Sequence, residues 1–457
     1  MRWNLKEMAV ALEGRLIGND REVLGVATDT RKPCAGQLFV ALQGERFDAH
    51  DYLAEAVAQG AAALLVSREA GLPPGVPALL VDDTRLALGR LAAAWRRRFA
   101  IPLVAVTGSN GKTTTKEMIA AVLKAAHGEQ VLATQGNFNN DIGLPLTLLG
   151  LDAGHKAAVV EMGMNHPGEI AYLTRIAQPT VALVTNAQRA HLEGMGDLDA
   201  VAREKATIYE GLGQTGVAVI NGDDAYAGLW RELNAGRPQL DFGLDQPARV
   251  SGRVKLHGLE TRLTLEAPEG SRDIPLQVSG RHNARNALAA ASVGLAMGLD
   301  LDTVARGLAG FTGVKGRLQR LAGPRGAVLL DDTYNANPDS VRAGIDVLAS
   351  TVGRQILVLG DMGEIGEACA QYHDEIGGYA KSMGVDRLYA LGEASQQAVR
   401  NFGEGARHFK TPEALAQALL PELDGDTTVL VKGSRFMKME RVVQALLAGN
   451  ETVGGNR

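Results

Sequence analysis

Features typical of secreted, membrane-bound and nucleic-acid-binding proteins are scarce in this sequence. Two of its 457 residues are cysteines, Cys34 and Cys369, which argues against a disulfide framework or a zinc site and predicts inert thiols in a reducing compartment. Aromatic residues make up 4% of the chain, too few for a platform on which single-stranded nucleic acid stacks. No apolar run approaches the roughly 20 residues of a membrane span, and no signal-peptide core follows Met1. We therefore expect a cytoplasmic protein.

An excess of charge of one sign is also absent. The formal net charge is -5 at pH 7 and the isoelectric point is about 6.0, so neither nucleic acid nor an anionic membrane is attracted globally. Anionic ligands must then be held by local arrangements of backbone amides, lysines and metal ions. We expect no nucleic-acid partner, no stable membrane insertion and a monomer.

The chain is long enough for about three domains. Apolar, strand-like runs alternate with helical patterns, which is typical of βαβ units and parallel sheets. The expected fold class is α/β with three domains. They are a small N-terminal α/β domain over 1–82, a central P-loop-type parallel sheet with helices over 83–313, and a C-terminal Rossmann-like α/β domain over 314–457.

Strands are predicted from the short apolar runs of each domain. The alternating pattern between 250 and 279 predicts an antiparallel ribbon added to the central sheet. The other predicted strands are 38–42, 63–66 and 78–81 in the first domain, 103–106, 157–160, 181–185 and 217–220 in the second, and 328–330, 356–359, 387–391 and 428–431 in the third.

The strongest motif is the segment 107–114, Thr-Gly-Ser-Asn-Gly-Lys-Thr-Thr, between an apolar strand and a helical run at 116–126. This order is the setting of a P-loop, whose amides and helix N-terminus bind phosphate oxygens. Lys112 would reach the β and γ phosphates, and the Thr113 hydroxyl would bind Mg²⁺. Val106 stands where the usual pattern has glycine or alanine, so the loop is a shortened variant. Nucleotide binding is favoured over a plain glycine turn, through Gly108, Ser109, Asn110, Gly111, Lys112, Thr113 and Thr114.

Polar side chains follow two further strands of the predicted central sheet. Glu161 ends the strand at 157–160, and His191 follows the strand at 181–185. The carboxyl ends of parallel strands face the crevice in which α/β proteins bind ligands, and a carboxylate suits Mg²⁺. Either residue alone is more readily a surface polar group, but beside a P-loop the two together predict a metal site.

Two further features stay open on local grounds. Lys205, in the helical stretch 202–208, has the setting of a solvated helix lysine. The amide-rich loop 137–145 either satisfies turn geometry or faces a substrate.

In combination, these motifs resemble those of the Mur ligase family, from Thr28 to about Val443. The P-loop is common to the family, whereas the runs 334–338 and 433–436 are similar to the branch that adds D-alanyl-D-alanine. The matching segments are 108–115, 137–145, 161–170, 186–196, 279–287, 316–318, 331–338, 359–362 and 432–436.

The resemblance implies an ATP-dependent ligase of peptidoglycan precursor synthesis, with a role for each matched residue. Lys205 would be carbamylated, since an ammonium cannot ligate Mg²⁺ whereas a carbamate offers two anionic oxygens. With Glu161 and His191 it would form a two-metal environment. In the ATP site, the matched residues are Asn283 at the adenine, Arg317 at a phosphate and Asp332 at the ribose.

The resemblance also implies two organic substrates, UDP-N-acetylmuramoyl-tripeptide and D-alanyl-D-alanine. At two positions the sequence departs from the family's uridine site, with Thr30 in place of serine and Ala49 in place of glycine. The residues implied for the uridine nucleotide are Thr30, Arg31, Gly44, Asp48, His50, Asn137 and Asn140, and those for the dipeptide are Asn335, Asn337 and Ser340.

The implied reaction transfers the γ-phosphoryl group of ATP to the terminal carboxylate of the tripeptide, and the dipeptide amine then attacks the acyl phosphate. Closure of the third domain over ATP would exclude water.

Three alternatives remain. The ligase that adds the third stem residue typically carries an Asp-Asn-Pro-Arg signature, which is absent here. The others are a folylpolyglutamate-type ligase and a non-enzymatic nucleotide-binding regulator.

Overall fold

The computed structural model describes residues 1–454, and the predicted three-part α/β architecture is confirmed. The first part contains a five-stranded sheet in the order β2-β9-β8-β5-β4, in which β2 is antiparallel to β9 and the other pairs are parallel. Its strands are β1 Trp3–Asn4, β2 Arg15–Ile17, β3 Glu22–Val23, β4 Val26–Ala27, β5 Leu38–Val40, β6 Gln43–Gly44, β7 Phe47–Asp48, β8 Ala63–Val66 and β9 Ala78–Leu80, and its helices are α1 Leu5–Leu12 and α2 Leu53–Ala58.

The central part is built on a nine-stranded sheet in the order β11-β12-β10-β13-β14-β15-β16-β17-β18. The pairs from β11 to β16 are parallel, and β16 to β18 form the predicted antiparallel ribbon. The strands are β10 Leu103–Thr107, β11 Val131–Ala133, β12 Ala157–Glu161, β13 Val181–Val184, β14 Val217–Asn221, β15 Gln239–Gly243, β16 Val250–His257, β17 Glu260–Ala267 and β18 Gly270–Leu276. The helices are α3 Thr84–Arg96, α4 Lys112–His127, α5 Gly143–Leu149, α6 Glu169–Ala177, α7 Leu192–Met195, α8 Leu198–Ala206, α9 Ala227–Leu233, α10 Arg281–Ala296 and α11 Leu301–Ala309.

The third part has a six-stranded sheet in the order β19-β20-β24-β21-β22-β23, parallel except for the edge strand β19. The strands are β19 Gln319–Ala322, β20 Val328–Asp332, β21 Arg354–Gly360, β22 Arg387–Leu391, β23 Ala406–Phe409 and β24 Thr427–Lys432. The helices are α12 Pro338–Ala349, α13 Cys369–Ser382, α14 Gln396–Phe402, α15 Pro412–Leu419 and α16 Glu440–Gly454.

Both faces of the central sheet are covered, as its continuous apolar strands require. Along β10, Leu103 and Ala105 belong to a core formed with α3, α5 and α6, whereas Val104 and Val106 belong to a core formed with α4, α10 and α11. The first of these cores continues into the N-terminal part of the chain. Such close packing fixes the strand ends, and with them the loops that follow β10, β12 and β13.

Within residues 1–454, no helix combines the length and the apolar character needed to cross a membrane.

Candidate active site

The P-loop joins the end of β10 to the start of α4. Gly108 has a φ of +150°, and a Cβ there would lie 1.8 Å from the Thr185 Oγ1 atom, so only glycine fits. Gly111 has a φ of +78° and precedes a helix that no side chain caps. The first amides of α4, from Lys112 through Thr113 and onward, therefore remain available to an anion. The helix begins at Lys112, earlier than the predicted 116.

The loop after β13 holds the P-loop in shape. The Thr185 hydroxyl donates to the Asn110 carbonyl over 2.7 Å, and the Asn110 amide donates to the Asn186 Oδ1 atom over 2.9 Å. The Ser109 amide donates to the Asn186 carbonyl, and the Ser109 hydroxyl donates to the carbonyl of Gln188. Neighbouring parallel strands thus support one phosphate-binding segment.

Lys112 folds back over the P-loop. Its Nζ atom donates to the carbonyls of Gly108 and Ser109 over 2.7 and 3.2 Å. Burial lowers the pKa of Lys112 to about 8, although the nearby Glu161 carboxylate opposes that shift. A phosphate group here would replace neutral carbonyl partners by an anionic one, which favours the charged lysine.

Glu161 ends β12 and is 2% exposed. Its Oε1 atom accepts a hydrogen bond from Asn139 over 2.8 Å, and its backbone amide donates to the Thr134 hydroxyl. The Oε2 atom is buried and has no hydrogen-bond partner among residues 1–454. A buried carboxylate oxygen without a partner is costly, so this position suits a cation.

His191 lines the same cleft as Glu161, in a left-handed backbone conformation with a φ of 59°. Its Nδ1 atom lies 3.1 Å from the Glu364 Oε2 atom, which belongs to the third part of the chain. Burial lowers the pKa of His191, so its neutral, metal-binding form is favoured.

Lys205 lies in α8 and is 1% exposed, which departs from a solvated helix lysine. Burial, together with the nearby positive charge of Lys112, holds the pKa of Lys205 well below its usual range. No acidic side chain in the described part of the chain lies within ion-pair distance of it, and it lines neither cleft described below. For residues 1–454, no group of three His, Cys, Asp or Glu side chains forms a ready-made metal cluster. Glu161 and His191 would therefore need further oxygen ligands.

The first of two adjoining clefts has a volume of about 370 Å³ and lies between the central and third parts. The predicted residues Asn283, Arg317 and Asp332 all line it, together with Thr113 and Thr114 of the P-loop. The Arg317 guanidinium stacks 4.0 Å from the Tyr334 ring centre and lies 3.5 Å from the Thr113 hydroxyl. The P-loop threonines and the residues predicted to contact the adenine, ribose and phosphate of ATP thus line one cavity.

The second cleft, the reaction cleft, has a volume of about 860 Å³ and contains Lys112, Glu161 and His191. Asn335, Asn337 and Ser340 line it, and all three side chains already have partners within the protein. The Asn335 Oδ1 atom accepts a hydrogen bond from the Ala336 amide over 2.9 Å. Asn337 and Ser340 form a capping box at the start of α12, and the Asn337 Nδ2 atom donates to the Asn110 Oδ1 atom over 2.8 Å.

The residues expected at the uridine nucleotide lie apart from both clefts, except Asn140. Arg31 is paired with Asp29, and Gly44 lies in an exposed hairpin. Both ring nitrogens of His50 are engaged, Nδ1 with Asp48 and Nε2 with the Ser67 amide. Thr30 is half-buried and Asn137 is exposed, so the polar side chains of this region form no single pocket with the P-loop.

Comparisons with known proteins cover nearly the whole chain. Family models describe residues 22–96 as the Mur ligase family catalytic domain, 106–294 as the Mur ligase middle domain, and 316–435 as the glutamate ligase domain of Mur ligases. The UDP-N-acetylmuramoyl-tripeptide–D-alanyl-D-alanine ligase of Escherichia coli is 44% identical over 97% of this chain and 98% of its own length. The chain belongs to the Mur ligase family.

Solved structures of Mur ligases share the fold. MurF from Acinetobacter baumannii superimposes with a TM-score of 0.92 at 35% identity, covering 98% of this chain and 99% of that one. MurF from Thermotoga maritima in complex with ADP gives a TM-score of 0.83 at 28% identity, covering 94% and 98%. The folylpolyglutamate synthase of Mycobacterium tuberculosis, at 21% identity and a TM-score of 0.61, shares the fold alone.

In this Mur ligase, Lys432, Glu364 and Arg189 had no role assigned from the sequence, and the first two line the reaction cleft. Lys432 ends β24, is 3% exposed and lines both clefts, with its Nζ atom 2.6 Å from the Asp332 carboxylate and 2.9 Å from the Asn335 carbonyl. The strand-end reasoning applied to Glu161 would have found it. Arg189 binds Asp339 and Glu375 of the third part over 2.7 and 2.8 Å, a pairing for which the sequence holds no local signal.

Proposed function

We propose that this chain is an ATP-dependent ligase that joins D-alanyl-D-alanine to UDP-N-acetylmuramoyl-tripeptide in peptidoglycan precursor synthesis. The observation that carries the proposal is the 44% identity over nearly the full length of the Escherichia coli ligase of that name, combined with a P-loop that opens on a larger reaction cleft. The products would be ADP, phosphate and the amide.

ATP fits the smaller cleft with its phosphates on the P-loop. The free amides at the start of α4 and the Lys112 ammonium would hold the β and γ phosphates. Arg317 would contact a phosphate, Asp332 the ribose and Asn283 the adenine, because all three line the same cavity. The ADP named in the Thermotoga maritima complex supports a nucleotide in a related protein.

Magnesium would be held by the Thr113 hydroxyl, Glu161, His191 and a carbamate on Lys205. The partnerless Oε2 atom of Glu161 supports a cation at this position. When bound, the metal would supply positive charge that offsets the phosphate charge. Lys205 suits carbamylation because its lowered pKa favours the neutral amine, the form that adds CO₂ and releases a proton.

The residues of the reaction cleft would promote amide formation by position and charge. Lys112 and Arg317 offset negative charge as the γ-phosphoryl group passes to the tripeptide carboxylate. The dipeptide amine then attacks the acyl phosphate, and phosphate leaves the tetrahedral intermediate. No nucleophilic side chain is required, and enclosure between the two parts protects the acyl phosphate from water.

Each part of the chain has a proposed task and boundary. Residues 1–82 would bind the UDP substrate, 83–313 would act on ATP, and 314–457 would bind the dipeptide through Asn335, Asn337 and Ser340 and close over ATP. For the UDP substrate we propose Thr30, Arg31, Gly44, Asp48, His50, Asn137 and Asn140. The enzyme would work as a monomer in the cytoplasm, where ATP is supplied and free thiols persist.

The function is tested by phosphate release from purified protein with ATP, the tripeptide nucleotide and a panel of amines. We expect release that depends on D-alanyl-D-alanine and that Lys112→Ala abolishes. Phosphate release that prefers a diamino acid would favour the ligase that adds the third stem residue. Phosphate release that requires glutamate and a folate would favour the folylpolyglutamate-type ligase. Nucleotide binding without amine-dependent ADP formation would favour a regulator and refute the proposal.

A further inference from the structure

Glu364 stands alone as a carboxylate on one wall of the reaction cleft. Among the described residues from 314 onward that line this cleft, no other side chain is acidic. It follows β21, in a loop between Gly363 and Gly366, and its side chain is 60% exposed. A ligand that enters the cleft therefore meets this carboxylate directly.

The backbone at Glu364 is held in an unfavourable conformation. Its φ is 59°, in the left-handed region that non-glycine residues avoid, and its contact His191 has the same φ. Such conformations persist where the surrounding structure imposes them, and they concentrate at functional sites. The two residues are in direct contact, with 3.1 Å between the His191 Nδ1 and Glu364 Oε2 atoms.

The charges around Glu364 make it the natural partner of a cation. The same cleft is lined by Lys112, Arg317 and Lys432, which repel an ammonium group. Four further carboxylates line it, but each has another partner or role: Asp141 is paired with Arg85, Asp83 and Glu169 accept hydrogen bonds from backbone amides, and Glu161 is the proposed metal ligand. Asp332 is paired with Lys432. The Oε1 atom of Glu364 accepts no hydrogen bond from the residues that the structure describes, so one carboxylate oxygen is free for a ligand.

We propose that Glu364 binds the amino group of the incoming D-alanyl-D-alanine. This inference rests on the proposed function. The α-amino group of a peptide has a pKa of about 8 and arrives largely as an ammonium. A carboxylate at the reaction cleft attracts that end and repels the terminal carboxylate, so the dipeptide enters amine first. Glu364 is then a substrate-binding residue for the nucleophile, and the bound ammonium gives up one proton to water before its lone pair attacks the acyl phosphate.

The test compares Glu364→Gln with Glu367→Gln, an exposed residue of the same loop that lines neither cleft. We expect Glu364→Gln to raise the KM for D-alanyl-D-alanine by about 10- to 100-fold, the effect of losing a hydrogen bond to a charged group. The KM values for ATP and the tripeptide nucleotide should stay within about twofold in both variants. Glu364→Asp, which keeps the charge, should recover part of the affinity.

A second measurement separates amine binding from a structural role. The dipeptide and its analogue with a hydroxyl in place of the amine are compared as competing ligands. In the wild type the dipeptide should bind more tightly than its hydroxyl analogue. In Glu364→Gln the ratio of the two dissociation constants should approach one. An unchanged ratio would overturn the inference. The inference would also be overturned if Glu364→Gln slowed only the formation of acyl phosphate, measured without dipeptide. Glu364 would then act through its contact with His191. Wild-type protein that forms no amide would instead reject the proposed function.

Discussion

Lys205 and Lys432 are both buried lysines, but their surroundings differ. Burial lowers the pKa of Lys432, and the paired Asp332 carboxylate opposes that shift. Lys205 has no such partner within residues 1–454, and Lys112 adds repulsion. A lysine in that position is chemically suited to be neutral, whereas Lys432 is suited to remain a cation.

Replacement of Lys205 tests the carbamate. We expect Lys205→Ala to lose activity by a factor of about 100 or more, because the proposed metal-binding carbamate cannot form. Chloride or bicarbonate should restore part of the activity by supplying a small anion in the space left by the side chain. Rates are compared with and without each salt, with sulfate as the ionic-strength control. Full activity of the unrescued variant would contradict the assignment.

The pH dependence of nucleotide binding follows from Lys112. Because its pKa is lowered to about 8, the free enzyme loses this ammonium as the pH rises through that value, and affinity for ADP should fall. Titration of a fluorescent ADP analogue between pH of about 7 and about 10 measures the effect. In Lys112→Arg the side chain stays charged, so any remaining affinity for the ADP analogue should not change with pH over that range. A parallel decline in both proteins would show that another group is responsible.

At the scale of elements, the start of α12 combines two roles in Asn337. Its side chain caps the helix with Ser340 and also binds Asn110 of the P-loop. Asn337→Ala should lower the free energy of unfolding by about 1 kcal/mol, whereas Asn337→Ser, which can still cap, should change it little. Both variants lose the bond to Asn110, so both should raise the KM for ATP by about two- to fivefold. Thermal unfolding and initial rates separate the two roles. Equal destabilisation by serine and alanine would argue against the capping role.

The elements were predictable where apolar runs were long and bounded by turns. All the strands predicted from such runs are present, including the antiparallel ribbon. The strands that escaped prediction are short, exposed or half-buried, so their pattern is mixed. They are β1 to β4, β6 and β7 in the first part, β11 and β15 in the central part, and β19 and β23 in the third. The start of α4 was placed too late because Lys112 and the threonines after it carry no apolar periodicity. The P-loop and its tertiary contacts, rather than helix propensity, determine where α4 begins.

At the scale of the whole molecule, Arg189 ties the central part of the chain to the third. Arg189→Gln removes the pairs with Asp339 and Glu375, so we expect a larger radius of gyration by X-ray scattering and a KM for ATP raised by about tenfold. Arg342→Gln is the matched control, because Arg342 binds Glu375 within the third part only. An equal effect of both variants would mean that Glu375, rather than the connection between the parts, is responsible.

The site itself was only partly predictable because it is assembled from distant segments. Strand-end reasoning placed Glu161 and His191 beside the P-loop, and the structure brings all three to one cleft. Family resemblance placed Asn283, Arg317 and Asp332, which indeed line one cavity. The partners of Arg189 lie 150 and 186 residues away, and the contact between His191 and Glu364 joins two loops. Such pairings depend on how the parts pack, which no local pattern encodes.

Arg317 and Lys432 each form part of the wall of both clefts. Asn110 and Ser340 line both clefts as well, so four residues separate the proposed nucleotide site from the proposed site of amide formation. A single molecule with an adenosine at one end and a tetrahedral phosphinate at the other could pass beside these four residues and satisfy both cations at once. Joining the two halves makes the second contact intramolecular, so such a bisubstrate inhibitor should bind far more tightly than either half.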